Sequence, residues 1–238
     1  MSLLQTKRYL LGDICVEVSF NYDYIAIHCK EYETDSDPDL KLYISEEDIE
    51  KEAEKCTDNF SKGYLEDLAF YRKFCDNVAH EGVILMHGCA VATGGKAYIF
   101  TAPSGTGKTT HASLWLEVLG DNAFVLNGDK PLLREKNGQF YVYGTPWNGK
   151  ENLGVNQSLP LGAIMKIERS EINEIEKLQY DEPLKVLMSQ VYKPFEPDAM
   201  QSVLNETLKL SHTVPFYKLS CNISKEAALL SYKTLTKE

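Results

Sequence analysis

The chain opens with short, β-rich apolar runs. Ile14-Cys15-Val16-Glu17-Val18-Ser19-Phe20 and Tyr24-Ile25-Ala26-Ile27-His28-Cys29 flank Asn21-Tyr22-Asp23, a pattern that predicts a hairpin. Glu31 to Asp39 is polar and ends in Asp37-Pro38-Asp39, a loop signal. Ser45 stands as an N-cap, with Asp48 three residues on where a capping box has its partner. The acidic run Glu46 to Glu54 reads as a solvated helix face, because it lacks the Asp/Asn-Gly pattern of a calcium loop. Tyr64, Leu68, Tyr71, Cys75 and Val78 recur at alternating four- and three-residue steps. That stripe predicts an amphipathic helix over about 61–79, with its aromatics in the core.

Beyond it, Val83 to Ala92 reads as a strand, Thr93-Gly94-Gly95-Lys96 as a tight turn and Ala97-Tyr98-Ile99-Phe100 as its partner strand. His111 to Leu116 begins a helix, and Ala123-Phe124-Val125-Leu126 is a buried-strand run ending in Asn127-Gly128-Asp129. Gln139 to Gly144 and Leu161 to Ile167 read as further strands. The C-terminal part reads as helices over Leu184 to Tyr192 and Ala199 to Leu210. A strand follows over Val214 to Ser220, with Pro215 marking an edge or a strand start. A last helix, capped by Ser224, runs through Leu235.

At 238 residues and 43% hydrophobic content the chain suits one large globular domain, or one domain with a small appendage. Its net charge is −10 and it has no Lys/Arg-rich run, so nucleic acid and anionic membrane surfaces are not expected partners. Six widely spaced cysteines offer neither a C-x-x-C pair nor zinc spacing, and several sit among apolar neighbours as reduced thiols do. With no signal-peptide profile and no membrane-length apolar run, the expected compartment is the cytoplasm.

The most informative stretch is Ala102-Pro103-Ser104-Gly105-Thr106-Gly107-Lys108-Thr109-Thr110. It lies between a strand and a helix, the context of a phosphate-binding loop. Small residues let backbone N–H groups turn toward phosphate oxygens, and the helix N-terminus adds partial positive charge. Ser104, Gly105, Thr106, Gly107, Lys108, Thr109 and Thr110 are therefore the expected nucleotide contacts. Lys108 would reach the β- and γ-phosphates, and the Thr109 hydroxyl would hold Mg²⁺. Ala102 stands where the usual pattern has its first Gly, which requires a negative φ there. Asp129, at the end of the next strand, is placed to meet Mg²⁺ or an attacking hydroxyl.

Together His87-Gly88, the Gly-Gly hairpin, Ser104 to Thr109 and Asp129 resemble HPr kinase/phosphorylase. The same core resembles the nucleotide-binding half of ATP-dependent phosphoenolpyruvate carboxykinase. With Leu114-Trp115, Asn127-Gly128-Asp129 and Gly144 to Trp147, the chain is similar to a group of small bacterial proteins related to both. The resemblance covers about Val83 to Arg169. It implies an α/β fold, a mixed twisted sheet carrying the phosphate loop with helices packed around it. A small β-rich N-terminal region would span 1–60 and the nucleotide-binding domain, with its helical C-terminal part, 61–238. It also implies that His87 orients Asp129 or the γ-phosphate, and that a homo-oligomer is possible. HPr kinases carry two adjacent Asp where this chain has Gly128-Asp129, so one carboxylate is missing.

The function expected from these readings is ATP- and Mg²⁺-dependent transfer of the γ-phosphoryl group to a hydroxyl. The acceptor would be a serine of a protein or peptide, or a small metabolite. Lys108, Asp129 and His87 form the expected catalytic set, and Thr109 and Asp129 the expected metal ligands. Trp147 is either a lid that stacks on substrate or a core plug, and Lys150 and Arg169 are weaker candidates for stabilising transition-state charge. The alternative is an ATP-binding regulatory or partner-binding module that has lost catalysis. Carboxykinase activity is disfavoured by the chain's length and by the absence of an arginine-rich substrate pocket.

Overall fold

The computed structural model of the protein describes residues 4–237. Strands β1 (Gln5–Leu11) and β2 (Ile14–Phe20) pair antiparallel through Gly12 and Asp13, both at φ 62°. The hairpin thus lies one run earlier than the sequence pattern predicts. The run after β2 is helical: α1 (Asp23–His28) replaces the expected second strand. Its inward residues Ile25 and Cys29 are four apart, a helical spacing, while Ile27 is 74% exposed. The buried Glu66 carboxylate accepts the N–H groups of Asn21 and Tyr22 at 2.6 and 2.9 Å, satisfying donors at the helix start. Tertiary contacts here override the β preference of the isoleucines. Strand β3 (Leu40–Tyr43) joins β2 in parallel.

Helix α2 (Glu46–Lys55) starts with the Ser45–Asp48 capping box, and α3 (Lys62–Val78) starts at Ser61. Helix α3 buries a wider face than the predicted stripe, with Phe70 and Phe74 fully enclosed. One hydrophobic core joins the first sheet to α3 and extends to Leu132, Tyr143 and Trp147.

The run from Val83 is two strands, not one. β4 (Val83–Leu85) ends, and β5 (Cys89–Thr93) begins after a break at Met86-His87-Gly88. In the break the N–H groups of Met86, His87 and Gly88 bond Pro131, Gln190 and Asp129 carbonyls at 3.1, 2.8 and 2.9 Å. The turn at Gly94 and Gly95, both at positive φ, leads into β6 (Lys96–Thr101). Next come α4 (Lys108–Leu119), β7 (Ala123–Asn127), β8 (Leu132–Lys136) and β9 (Gln139–Tyr143). They are followed by β10 (Ser158–Arg169), β11 (Glu174–Lys177), α5 (Glu182–Gln190), α6 (Pro197–Thr213), β12 (Phe216–Cys221) and α7 (Lys225–Leu235). β12 is paired on both sides, so Pro215 marks its start and not an edge.

Among the described residues nine strands form the mixed second sheet, in the order β4-β8-β9-β10-β6-β5-β7, with β12 on β10 and β11 on β12. The first residues of β10 pair antiparallel with β9, and the rest run parallel to β6 and β12. β5 is antiparallel to both β6 and β7, so β6, β7, β10 and β12 all point the same way. Their C-terminal ends gather residues 102–107, Asn127 to Asp129, Arg169 and Asn222 at one edge. His87 joins them because β5 starts there. Along β6 the side chains alternate. Ala97 and Ile99 pack with Leu187 of α5 and Val203 of α6, and Tyr98 and Phe100 pack with Trp115 of α4 and Ala227 of α7.

Candidate functional site

The loop between β6 and α4 is shaped by Gly105 at φ 75° and Gly107 at φ 124°. No neighbour crowds either position, so glycine is needed there for backbone conformation and not for space. Ala102, buried under the loop, has no positive φ, which meets the condition its sequence position set. Lys108 is the first residue of α4, and its buried ammonium donates to the Ala102 carbonyl at 3.0 Å. Burial lowers its pKa, and the negative charge of Asp129 offsets part of that. Arg169, at the end of β10, reaches the loop from the other flank. Its guanidinium donates to the Thr106 carbonyl at 3.1 Å and to the Gly105 carbonyl. Arg169 thus straps the loop backbone.

Asp129 sits 3.2 Å from His87 through Oδ1 and 2.5 Å from Lys130 through Oδ2. Burial raises its pKa, but the His87 and Lys130 bonds outweigh burial and hold the carboxyl at about 2. It is therefore ionised throughout the neutral range. His87 shares its other ring nitrogen with Gln190 Oε1 at 3.2 Å. The aim of Asp129 is set by Asn127, which is fully buried. Asn127 Oδ1 accepts the N–H groups of Asp129 and Lys130 at 3.0 and 2.7 Å, an Asx-type turn. Its Nδ2 donates to Thr145 O and Oγ1 at 3.1 and 2.9 Å, and Thr145 Oγ1 donates to Lys130 O at 2.8 Å.

Glycines let the loops close on this turn. A Cβ on Gly128 would lie 2.4 Å from the Asn148 carbonyl, and one on Gly88 would lie 2.7 Å from Ile99 Cγ2. Trp147 is buried against Phe70, Tyr71 and Phe74, with ring centroids 5.2–5.8 Å away. It also lines the cleft beside Pro146 and Asn148. Lys150, beyond it in the same loop, is exposed and faces the cleft.

Ser104, Gly105, Gly107, Lys108, Thr109 and Thr110 line one cleft of about 1660 Å³ with His87, Asp129 and Lys130. Its far arm is walled by Tyr24, His28, Tyr64 and Asp67, from α1 and α3. There His28 Nδ1 lies 3.0 Å from the Asp67 carboxylate. Burial lowers the His28 pKa, but Asp67 outweighs burial and leaves it above the ordinary imidazole value. Thr106, Gly107 and Arg169 also line a second cleft of about 450 Å³, walled by Leu114, Ile167 and Ile223 and edged by Asn222. His111 is buried in the first turns of α4, where it bonds Ser231 and packs edge-on against Phe100.

Sequence reasoning missed Lys130, Gln190 and the His28–Asp67 pair. Gln190 is 103 residues from His87, and no local signal links them. Asn127 carried a signal: an Asn two residues before the acid is an Asx-turn pattern. Thr109 and Asp129 are the protein groups that suit a divalent ion. Among the described residues no group of three or more His, Cys, Asp or Glu gathers as a metal site. An ion here would draw most of its ligands from phosphates and water, as Mg²⁺ does. No helix of the described residues is long and apolar enough to cross a membrane.

No family model and no curated protein matches the chain. Among solved structures it is similar to the Hpr(Ser) kinase/phosphatase from Coxiella burnetii. The TM-score is 0.38 and the identity 11%, over 64% of this chain and 88% of that one.

Proposed function

We propose that this protein is an ATP-dependent phosphotransferase. The observation that carries the reading is one cleft shared by the glycine-shaped loop with its buried Lys108 and by an ionised Asp129 held between His87 and Lys130. The loop and Lys108 would hold the β- and γ-phosphates, with the base in the neighbouring apolar cleft under Ile223. The acceptor hydroxyl would enter from the arm walled by Tyr24 and Tyr64. Its oxygen attacks the γ-phosphorus, its proton passes to Asp129, and the bond to the β-phosphate oxygen breaks to release ADP. His87 orients Asp129. Thr109, with phosphate and water oxygens, would hold Mg²⁺, which would neutralise charge on the phosphates; Asp129 would serve as metal ligand or as proton acceptor, not as both at once.

The first test is Mg-ATP calorimetry with an ATP-turnover assay on wild type and Lys108→Ala. The reading expects wild-type binding and turnover, both falling at least about 100-fold in the variant. No wild-type binding would end it. The ion pair on Asp129 favours one second reading, a regulatory nucleotide-binding module. Tight wild-type binding with no turnover across a broad screen of hydroxyl acceptors would select that one.

A further inference from the structure

We propose that Lys130 is a phosphate-contacting residue, which exchanges its Asp129 partner for the γ-phosphate when nucleotide binds. The proposal rests on the nucleotide reading above and assigns a residue that reading does not need.

The backbone of Lys130 is fixed at both ends. Its N–H bonds Asn127 Oδ1 at 2.7 Å, and its carbonyl accepts from Thr145 Oγ1 at 2.8 Å. The side chain reaches the cleft. It stays about one-third exposed (34%) and lines the same cleft as Ser104 and Lys108. Its ammonium has three donors. One meets Asp129 Oδ2, and the group lies 5.8 Å from the centre of the Tyr71 ring. His87 bonds the other Asp129 oxygen at 3.2 Å, so Asp129 keeps one partner when Lys130 turns away.

Lys30, Lys108, Lys130 and Lys150 line the cleft with Glu31, Asp67, Asp129 and Glu151, so four cations meet four acids there in a chain whose net charge is −10. Lys130 and Lys108 line it together with the backbone of Ser104, Gly105 and Gly107, the side a polyphosphate would meet. A lysine beside the proton acceptor would sit over the transferred group and not over the α- and β-phosphates cradled by the loop.

The test is calorimetry with Mg²⁺ and two probes, ADP and the non-hydrolysable imido analogue of ATP, on wild type, Lys130→Met and Lys130→Arg. Lys130→Met should weaken the analogue about tenfold or more, the worth of one charge-assisted hydrogen bond, and leave ADP within about twofold. Arginine should restore much of the preference for the analogue. Thermal melting checks that the variants fold. The proposal fails if analogue and ADP affinities are both unchanged in a folded Lys130→Met protein. It also fails if both fall together, as a purely structural role would give. If wild type binds neither probe, the nucleotide reading falls and takes this one with it. If wild type binds both and Lys130→Met discriminates no less than wild type, only this proposal falls.

Discussion

At the scale of single residues, the site depends on a buried amide. Asn127 uses both ends of its side chain, two backbone N–H groups on one and the Thr145 carbonyl and hydroxyl on the other. Truncation leaves those donors and acceptors unpaired in a closed space, where each costs about 1–3 kcal/mol. Asn127→Ala should therefore lower stability by about 2–3 kcal/mol in urea unfolding. It should also release Asp129 from its turn. On the proposed function turnover should fall at least about tenfold, because Asp129 is misplaced, while ADP affinity stays within a few-fold, because Lys108 and its loop are untouched. Unchanged turnover in a folded Asn127→Ala protein would show that Asp129 needs no such positioning. His28 shows a similar economy on the far arm, where one imidazole ties α1 to the Asp67 carboxylate of α3.

At the scale of elements, the segment 144–157 links β9 to β10 and crosses the end of β7. Gly144 N bonds Gln157 O at 2.9 Å, and Val155 N bonds Leu126 O at 3.1 Å. A Cβ on Gly144 would stand 1.9 Å from the Val155 carbonyl, so no side-chain rotation relieves Gly144→Ala. That variant should lose about 3 kcal/mol in denaturant unfolding and loosen the wall carrying Trp147. A loss under about 1 kcal/mol would mean that the segment can lift without cost. Much at this scale was legible in the sequence. The Gly-Gly hairpin, the strand–loop–helix around Lys108, the Ser45 capping box and the Ser224 cap all rest on local chemistry, and the structure has each of them. What local chemistry does not encode was missed. Helix α1 is decided by Glu66 and a helical burial spacing against β-rich composition. The break at His87 is made by carbonyls of Pro131, Asp129 and Gln190, far along the chain. The short strands β8 and β11 went unread, although Asn137-Gly138 marks the β8–β9 turn. In the candidate site the loop and Asp129 could be named from their motifs. The Lys130 ion pair and the Arg169 strap depend on how separate strand ends converge.

At the scale of the whole molecule, acid stability should depend on His111, a buried histidine at the edge of the second cleft. His111 joins α4 to α7 through Ser231. Ser231 Oγ donates to the Ala228 carbonyl and accepts from Trp115 Nε1 at 2.7 Å, so the 2.9 Å contact with His111 uses a proton on Nε2. Burial disfavours the imidazolium and pushes the His111 pKa down to about 4, from an ordinary value of 6.5. The sign follows from proton counting. Between pH 6.5 and about 4 the unfolded chain binds a proton at His111 and the folded chain does not, so stability falls as pH drops through that window. The loss amounts to about 3 kcal/mol. Asp129 adds to it only lower, between its ordinary 3.8 and about 2, where its folded-state bonds to His87 and Lys130 are lost to protonation. His28 works in the opposite direction. Its raised pKa contributes stability that is present below about 6.5 and is lost as pH rises through the folded-state value. Urea unfolding of wild type and His111→Gln from pH 7 to pH 4 separates these terms. Glutamine can still donate to Ser231 but cannot titrate, so the variant should lose less stability than wild type between pH 6.5 and about 4, and the difference isolates His111. An unchanged slope would mean that His111 accepts its proton inside the fold, and that the α4–α7 contact behind the β6–α4 loop opens more easily than its packing implies.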